Sequence, residues 1–452
     1  MSILNTLSYN LNVNVLGKAY LRFQRLQDER KMSNPYAKQN PNLAPLLKSV
    51  PYLKELISTH YLQGRYANSC KKVAWVTSGA PVEILKALGY FTLYPENHAI
   101  LCSTRRQCVE LSDIAEGVGY SRDLCSYARC DIGSMISGKT PAGKLPKPDL
   151  LFCCTNICQT VLYWYHVLAD HFKVPLVVID TPFIYDEVTP HQIEYVKKQL
   201  DYAVEVAQRI AGKSIPPEQF IKTGASSRDA VLLWNEIMEL CKHRPSPISA
   251  FDLYFYMAPA VEMRGEDSAV RFYRQVLAEV KQRVADGVGA VTNERKRILW
   301  DNLPIWYEIR LLAETLADRG FCLVASTYTR AWGGDMLDIL KSIDYTKTDR
   351  DYLLSMLASC YLHVILNQSS GYKLKVMAQM LKEYEIDGVI LHNDRSCKPY
   401  SLGQIDQTER LINEYGVPAL LLEADHNDPR SFSKEQAMTR LAAFMEMVEN
   451  KK

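Results

Sequence analysis

Cys125, Cys158 and Cys397 lie far apart in the chain, and the last two each follow an apolar, strand-like run. Leu150 to Thr155 leads into Asn156, Ile157 and Cys158, and Gly388 to Asn393 leads into Asp394, Arg395, Ser396 and Cys397. Both thiols are therefore expected at carboxyl ends of strands, where open α/β sheets place ligands. Three convergent thiolates with no fourth partner in a compact motif suit an iron–sulfur cluster with one exposed iron better than a closed structural zinc. The alternative reading of the same spacing is small buried cysteines at tight turns, because free cysteine is often a core residue.

A helix is expected to begin at Cys158, and Ser401 to Gln404 after Cys397 has the pattern of a capping box. A thiolate near a helix N-terminus is favoured by the dipole and by free backbone N–H groups, so two such starts could face one cofactor. Cys125 sits in a polar stretch, Tyr120 to Gly133, flanked by Arg122 and Arg129, which suits an electropositive cluster or thioester pocket. Cys130, Cys153 and Cys154 add thiols nearby; on a strand Cys153 and Cys154 point to opposite faces, so at most one readily joins Cys158. Cys70, Cys102, Cys108, Cys241, Cys322 and Cys360 lie in apolar or amphipathic contexts and read as structural.

Other standard sites are missing. The chain has no CxxC pair for a zinc ribbon, no CxxxCxxC and no HExxH. Gly133 to Thr140 matches the phosphate-binding pattern GxxxxGK[ST], but a polar segment precedes it and Pro141 to Pro148 follows. Phosphate cradling needs a buried strand before the loop and a helix start after it, so the match is read as accidental.

The elements that must position these thiols form a diverged internal duplication. Lys71 to Trp75, Pro81 to Ile84 and Gly89 to Phe91 have counterparts in Lys296 to Trp300, Pro304 to Ile309 and Gly320 to Cys322. The strands ahead of Cys158 and Cys397 are each followed by a helix and a second apolar run, Val174 to Asp180 and Val417 to Asp425. Near-continuous apolar strands separated by helices imply parallel sheets covered on both faces. The expected fold is α/β: two pseudo-repeated parallel-sheet halves with a helical N-terminal arm and a helical insert. The expected boundaries are 1–70 for the arm, 71–190 for the first half, 191–295 for the insert and 296–452 for the second half. Thr189 to Gln192, with Pro190 at the first helical position, reads as a capping box opening a helix through Ile210.

Composition narrows the class further. The chain has 452 residues, 47% of them hydrophobic, and a formal net charge of +2, which gives no electrostatic basis for nucleic acid or an anionic membrane. No run approaches a membrane span, and the N-terminus lacks the apolar core of a signal peptide. A cytoplasmic location is expected, where 12 cysteines are ligands or buried residues rather than disulfides.

The segments Gly79 to Ile84, Tyr94 to Asn97, Asp123 to Arg129, Cys154 to Cys158, His392 to Pro399 and Asp425 to Arg430 resemble the 2-hydroxyacyl-CoA dehydratase and benzoyl-CoA reductase family. The similarity runs from about residue 70 to the C-terminus and looks closest to the larger cluster-bearing subunit of ATP-dependent benzoyl-CoA reductases. The resemblance implies a homologous second cluster subunit as heterodimer partner, a separate ATP-hydrolysing activator fed by ferredoxin, and an acyl-CoA substrate. It assigns a [4Fe-4S] cluster to Cys125, Cys158 and Cys397. It places the loop of Ser78, Gly79 and Glu83 beside the acyl-thioester pocket. With Cys130 and Cys154 as additional ligands, a double-cubane [8Fe-9S] centre is the alternative cofactor. Glu83, Tyr127 and His392 are the candidate catalytic groups or hydrogen-bonding neighbours. The expected activity is aromatic acyl-CoA (benzoyl-CoA) reduction; the alternatives are 2-hydroxyacyl-CoA dehydration and a non-catalytic electron relay.

Overall fold

The computed structural model describes residues 3–32, 40–347 and 349–451. Its frame is two four-stranded parallel sheets of identical order. The first contains β1 (Val73–Val76), β2 (Phe91–Leu93), β3 (Leu150–Cys154) and β4 (Leu176–Ile179), ordered β2-β1-β3-β4. The second contains β5 (Lys296–Asp301), β6 (Phe321–Ser326), β7 (Gly388–Asp394) and β8 (Ala419–Ala424), ordered β6-β5-β7-β8. β1 and β3 are buried along their whole length because helices cover both faces, which is why they read as unbroken apolar runs. The edge strands β4 and β8 alternate buried with less buried positions.

The duplication extends to local chemistry. Ahead of β3, Asp149 accepts from Lys72 Nζ (2.9 Å) and from Val73 N (2.9 Å), clasping the starts of two paired strands. Ahead of β7, Asp387 does the same with Lys296 Nζ (3.2 Å) and Arg297 N (2.8 Å). Gly89 and Gly320, which lead into β2 and β6, both take left-handed conformations (φ 80° and 73°) that an L side chain resists.

The helix Pro190–Ala211 opens with the expected box: Thr189 Oγ1 accepts from Gln192 N, and Thr189 N donates to Gln192 Oε1 (2.8 Å). It packs on β4 and on the helix Arg350–Leu362, while Pro217–Leu240 packs on Asp267–Ala285 and Glu83–Ala87. Trp234 Nε1 donates to Thr329 O (3.1 Å), so these intervening helices join the two halves, and one apolar core runs from Leu47 to Val417.

The capping box expected at Ser401–Gln404 does not form. Ser401 Oγ donates to Asp394 O (2.8 Å) and Gln404 Nε2 to Asp301 Oδ2 (2.7 Å), so strand-end acceptors recruit both side chains and Gly403 precedes the next helix. Gly133 to Thr140 spans the C-terminal end of the helix Ser126–Ser137, with Gly138 left-handed at its cap (φ 70°) and Lys139 paired with Glu110. That is the negative end of a helix dipole, the wrong end for phosphate.

Candidate functional site

In each sheet the strand order reverses beside the first strand, β1 or β5, and loops leaving β1 and β3 in one half and β7 in the other meet at one cavity of about 410 Å³. Cys125, Cys158 and Cys397 all line it. Each precedes a helix: Cys125 caps Ser126–Ser137, Cys158 lies in the turn before Thr160–Phe172, and Cys397 caps Lys398–Ser401. Cys125 therefore adds a third helix start to the two expected. Burial, then the charge of Cys125, pushes the Cys158 thiol up to about 12, although the N–H groups of Val161 and Thr160 pull it down. Cys397 is raised by burial, by Asp394 and by Cys125 and Cys158. The three thiols share one cavity wall, and burial disfavours their charged forms there, a cost that a positively charged metal group would relieve. The donor set fits a three-thiolate cluster.

Cys154 and Cys130 do not join them. Cys154 is fully buried in the apolar core that runs from Leu47 to Val417, with its N–H on Thr77 Oγ1 (3.0 Å), and Cys130 lies in a separate buried thiol group with Cys102 and Cys108.

A buried polar network backs Cys125. His426, which lines the cavity, lies 4.0 Å from Cys125 Sγ and 3.0 Å from Ser126 Oγ through Nε2, and 2.7 Å from Asp394 Oδ2 through Nδ1. Asp425 accepts from Ser126 Oγ (2.6 Å), Ser396 Oγ (2.5 Å), Asn427 N (2.9 Å) and Asp428 N (2.8 Å). Burial works against a charged imidazole, yet Asp394 and Asp425 outweigh it and hold His426 well above its ordinary pKa. The positive charge beside Cys125 thus comes from His426. Arg129, expected to supply it, is neutralised by Glu116 and Asp428, and Arg122 stands exposed outside the cavity. Arg430 bonds Asp113, Glu116 and Asp428, which fastens the loop after β8 to the helix of Glu116.

The opposite wall carries Ser78 and Glu96. Ser78 N donates to Glu96 Oε1 (3.0 Å), while Oε2 is buried with no hydrogen-bond partner. Burial pushes this carboxyl up to about 7 against the pull of the Ser78 N–H. The 78–80 loop is held from behind: Arg264 donates to Ser78 O (3.1 Å), Ala80 O (3.3 Å) and Tyr361 Oη (2.7 Å). At Gly79 a Cβ would fall 2.4 Å from Asn156 Oδ1, so only glycine lets the β1 and β3 loops approach this closely.

Of the candidate catalytic groups, Tyr127 lines the cavity, its hydroxyl accepting from Trp306 Nε1 and its ring edge-on to His426 at 4.1 Å. Glu83 lies outside it, accepting from Ser227 Oγ (2.6 Å) and Tyr361 Oη (2.8 Å). His392 is fully buried in β7, its Nδ1–H donating to Leu303 O (2.7 Å), and burial lowers its pKa. Neither reaches the cavity. Reading the sequence residue by residue missed Glu96, His426 and Glu262, a buried carboxyl that also lines the cavity; Glu96 and His426 fall within segments that carry the family resemblance, and the position of Glu96 in the first turn of a helix directly after an apolar strand was a further signal.

The sequence profile of the family described as "2-hydroxyglutaryl-CoA dehydratase, D-component" matches residues 77–448. The (R)-2-hydroxyisocaproyl-CoA dehydratase alpha subunit of Clostridioides difficile is 33% identical over 86% of this chain and 95% of its own length. The (R)-phenyllactyl-CoA dehydratase alpha subunit of Clostridium sporogenes is 30% identical over 84% of this chain and 91% of its own. A benzoyl-CoA reductase subunit of Thauera aromatica is 29% identical over 92% of this chain and 98% of its own. No helix among the described residues is long and apolar enough to cross a membrane.

Proposed function

This chain belongs to the 2-hydroxyglutaryl-CoA dehydratase D-component family, and on that premise we propose that it is the cluster-bearing, substrate-binding subunit of a 2-hydroxyacyl-CoA dehydratase complex. The observation that carries the reading is the meeting of Cys125, Cys158 and Cys397 with a partnerless, buried Glu96 carboxyl oxygen in one cavity. Relatives named as dehydratase alpha subunits support dehydration ahead of the aromatic reduction expected from sequence.

Dehydration breaks the C2–O and C3–H bonds of the acyl group and leaves a 2-enoyl thioester and water, redox-neutral overall. An iron–sulfur cluster held by Cys125, Cys158 and Cys397 would supply a low-potential electron and a Lewis-acidic iron for the hydroxyl. Glu96, which lines the cavity and is held through Oε1 by the Ser78 N–H, is the candidate acceptor of the substrate proton, and a carboxyl poised near 7 is matched to that task. Tyr127 and His426 position the thiol side, and Glu83 acts through Tyr361 and Arg264 on the Ser78 loop. The family resemblance supports a second cluster subunit and an ATP-hydrolysing activator as partners.

Anaerobic incubation of the complex and its activator with ATP, reductant and (R)-2-hydroxyacyl-CoAs tests the reading by following enoyl-CoA formation. Turnover is expected. Reduction of benzoyl-CoA without dehydration of any 2-hydroxyacyl-CoA would reverse the order of the two readings.

A further inference from the structure

Among the described residues, the cavity wall carries no buried unpaired cation. Arg105 stands exposed at its edge, and His426 is bound to Asp394 with Asp425 3.8 Å away. Arg264 lies behind Trp332, 3.9 Å from the ring centroid, with its donors on Ser78 O, Ala80 O, Ala260 O and Tyr361 Oη. Lys86 is paired with Glu266 Oε1 at 2.5 Å.

Two carboxyl groups line the cavity instead. Besides Glu96, Glu262 is buried to 3% exposure, with Oε1 accepting from Tyr61 Oη (3.4 Å) and Oε2 without a hydrogen-bond partner. Burial pushes Glu262 up to about 7, with Tyr61, Asn97 and Lys86 pulling against it. Much of the remaining wall is apolar, with an aromatic group at its centre: Trp306 stands edge-on to Tyr254 (6.3 Å), Phe255 (6.1 Å) and Tyr328 (6.3 Å).

An acyl carboxylate buried among these walls, away from the exposed Arg105, would meet no buried cation to neutralise it. Should Glu262 take up a proton to share with it, one uncompensated negative charge still remains away from water, a costly arrangement. A neutral hydrocarbon acyl group meets the opposite situation, because each methylene it buries against the aromatic wall is favourable. We propose that the cavity selects thioesters with a neutral, apolar acyl chain and that Glu262 is the residue that turns away acyl carboxylates. The proposal rests on the reading of the cavity as an acyl-CoA site.

Binding of unreactive thioesters separates this selection from turnover. Titration calorimetry on the assembled complex with 4-methylpentanoyl-CoA, 3-phenylpropanoyl-CoA and glutaryl-CoA is expected to show the first two binding at least about tenfold tighter than the third. Glu262→Gln should narrow that ratio by about tenfold through tighter glutaryl-CoA binding, with circular dichroism reporting that the variant is folded. Glutaryl-CoA binding as tightly as 4-methylpentanoyl-CoA in the wild-type complex would overturn the proposal, whether or not the variant folds. A ratio unmoved by Glu262→Gln would remove Glu262 from it. These ligands lack the 2-hydroxyl, so failure of dehydration would sink the dehydratase reading without altering what the binding ratios say.

Discussion

Replacing Glu83 by Gln isolates what the carboxylate does from what its shape does. Tyr361 Oη donates to both of its oxygens (3.1 and 2.8 Å) and Ser227 Oγ to one (2.6 Å). Tyr361 in turn receives Arg264, whose other donors hold Ser78 O and Ala80 O. Hydrogen bonds to a charged acceptor contribute about 1.5–3 kcal/mol each, and the amide keeps part of that. Removing the charge near a buried guanidinium therefore costs about 2–4 kcal/mol, a loss that a fold stable by roughly 5–15 kcal/mol survives. Urea unfolding followed by circular dichroism, iron content and turnover should be measured anaerobically on the same preparation. The expected outcome is a lowered midpoint, full iron, and kcat reduced by no more than about tenfold as the Ser78 loop loosens. A loss of kcat by about 10³ or more with an unchanged midpoint would refute the placement, because only a group that touches the reacting atoms behaves that way.

Glu96→Gln should lower kcat by about 10²–10⁴ with thioester binding intact, the range of a lost general base. Because the carboxylate form is the base and burial raises its pKa to about 7, wild-type kcat should fall as pH drops through about 7, and the variant should lack that limb. Cys130→Ser and Cys154→Ser should keep near-normal iron, since both side chains pack in the core away from the cavity; loss of half or more would restore the double-cubane alternative. Lys139→Ala should leave ATP hydrolysis by the complex unchanged, because its loop ends a helix; tight ATP binding that vanishes in the variant would contradict this.

The paired halves were legible because parallel strands buried on both faces leave unbroken apolar runs, and the thiols were legible because Cys158 and Cys397 follow two of those runs. What surrounds the thiols was not. His426 meets Cys125 and Ser126 across some 300 residues of sequence, and nothing local marks that contact. Arg129 looked like a source of positive charge until Glu116 and Asp428 arrived from elsewhere in the chain to neutralise it. Glu83 and His392 stand close in sequence to the strand ends that build the cavity, yet their side chains turn into the structure behind it. Spacing locates a side chain along an element, while the tertiary packing decides which side it faces. Glu262 had no signal of its own: it lies on a short helix of the insert, and only burial separates it from an ordinary surface carboxylate.

The central claim is that thiols from both halves hold one iron–sulfur cluster, and Cys397→Ser tests it most directly because Cys397 is the single thiol contributed by the second half. Serine offers a harder oxygen in place of thiolate sulfur and is a poor ligand for such a cluster. Iron and acid-labile sulfide should be counted anaerobically on the assembled complex with wild-type and variant chain, alongside electron paramagnetic resonance. The account predicts that the iron and sulfide borne by this chain are severely depleted or the signal distorted in the variant, and full iron with full activity in Cys397→Ser would contradict it.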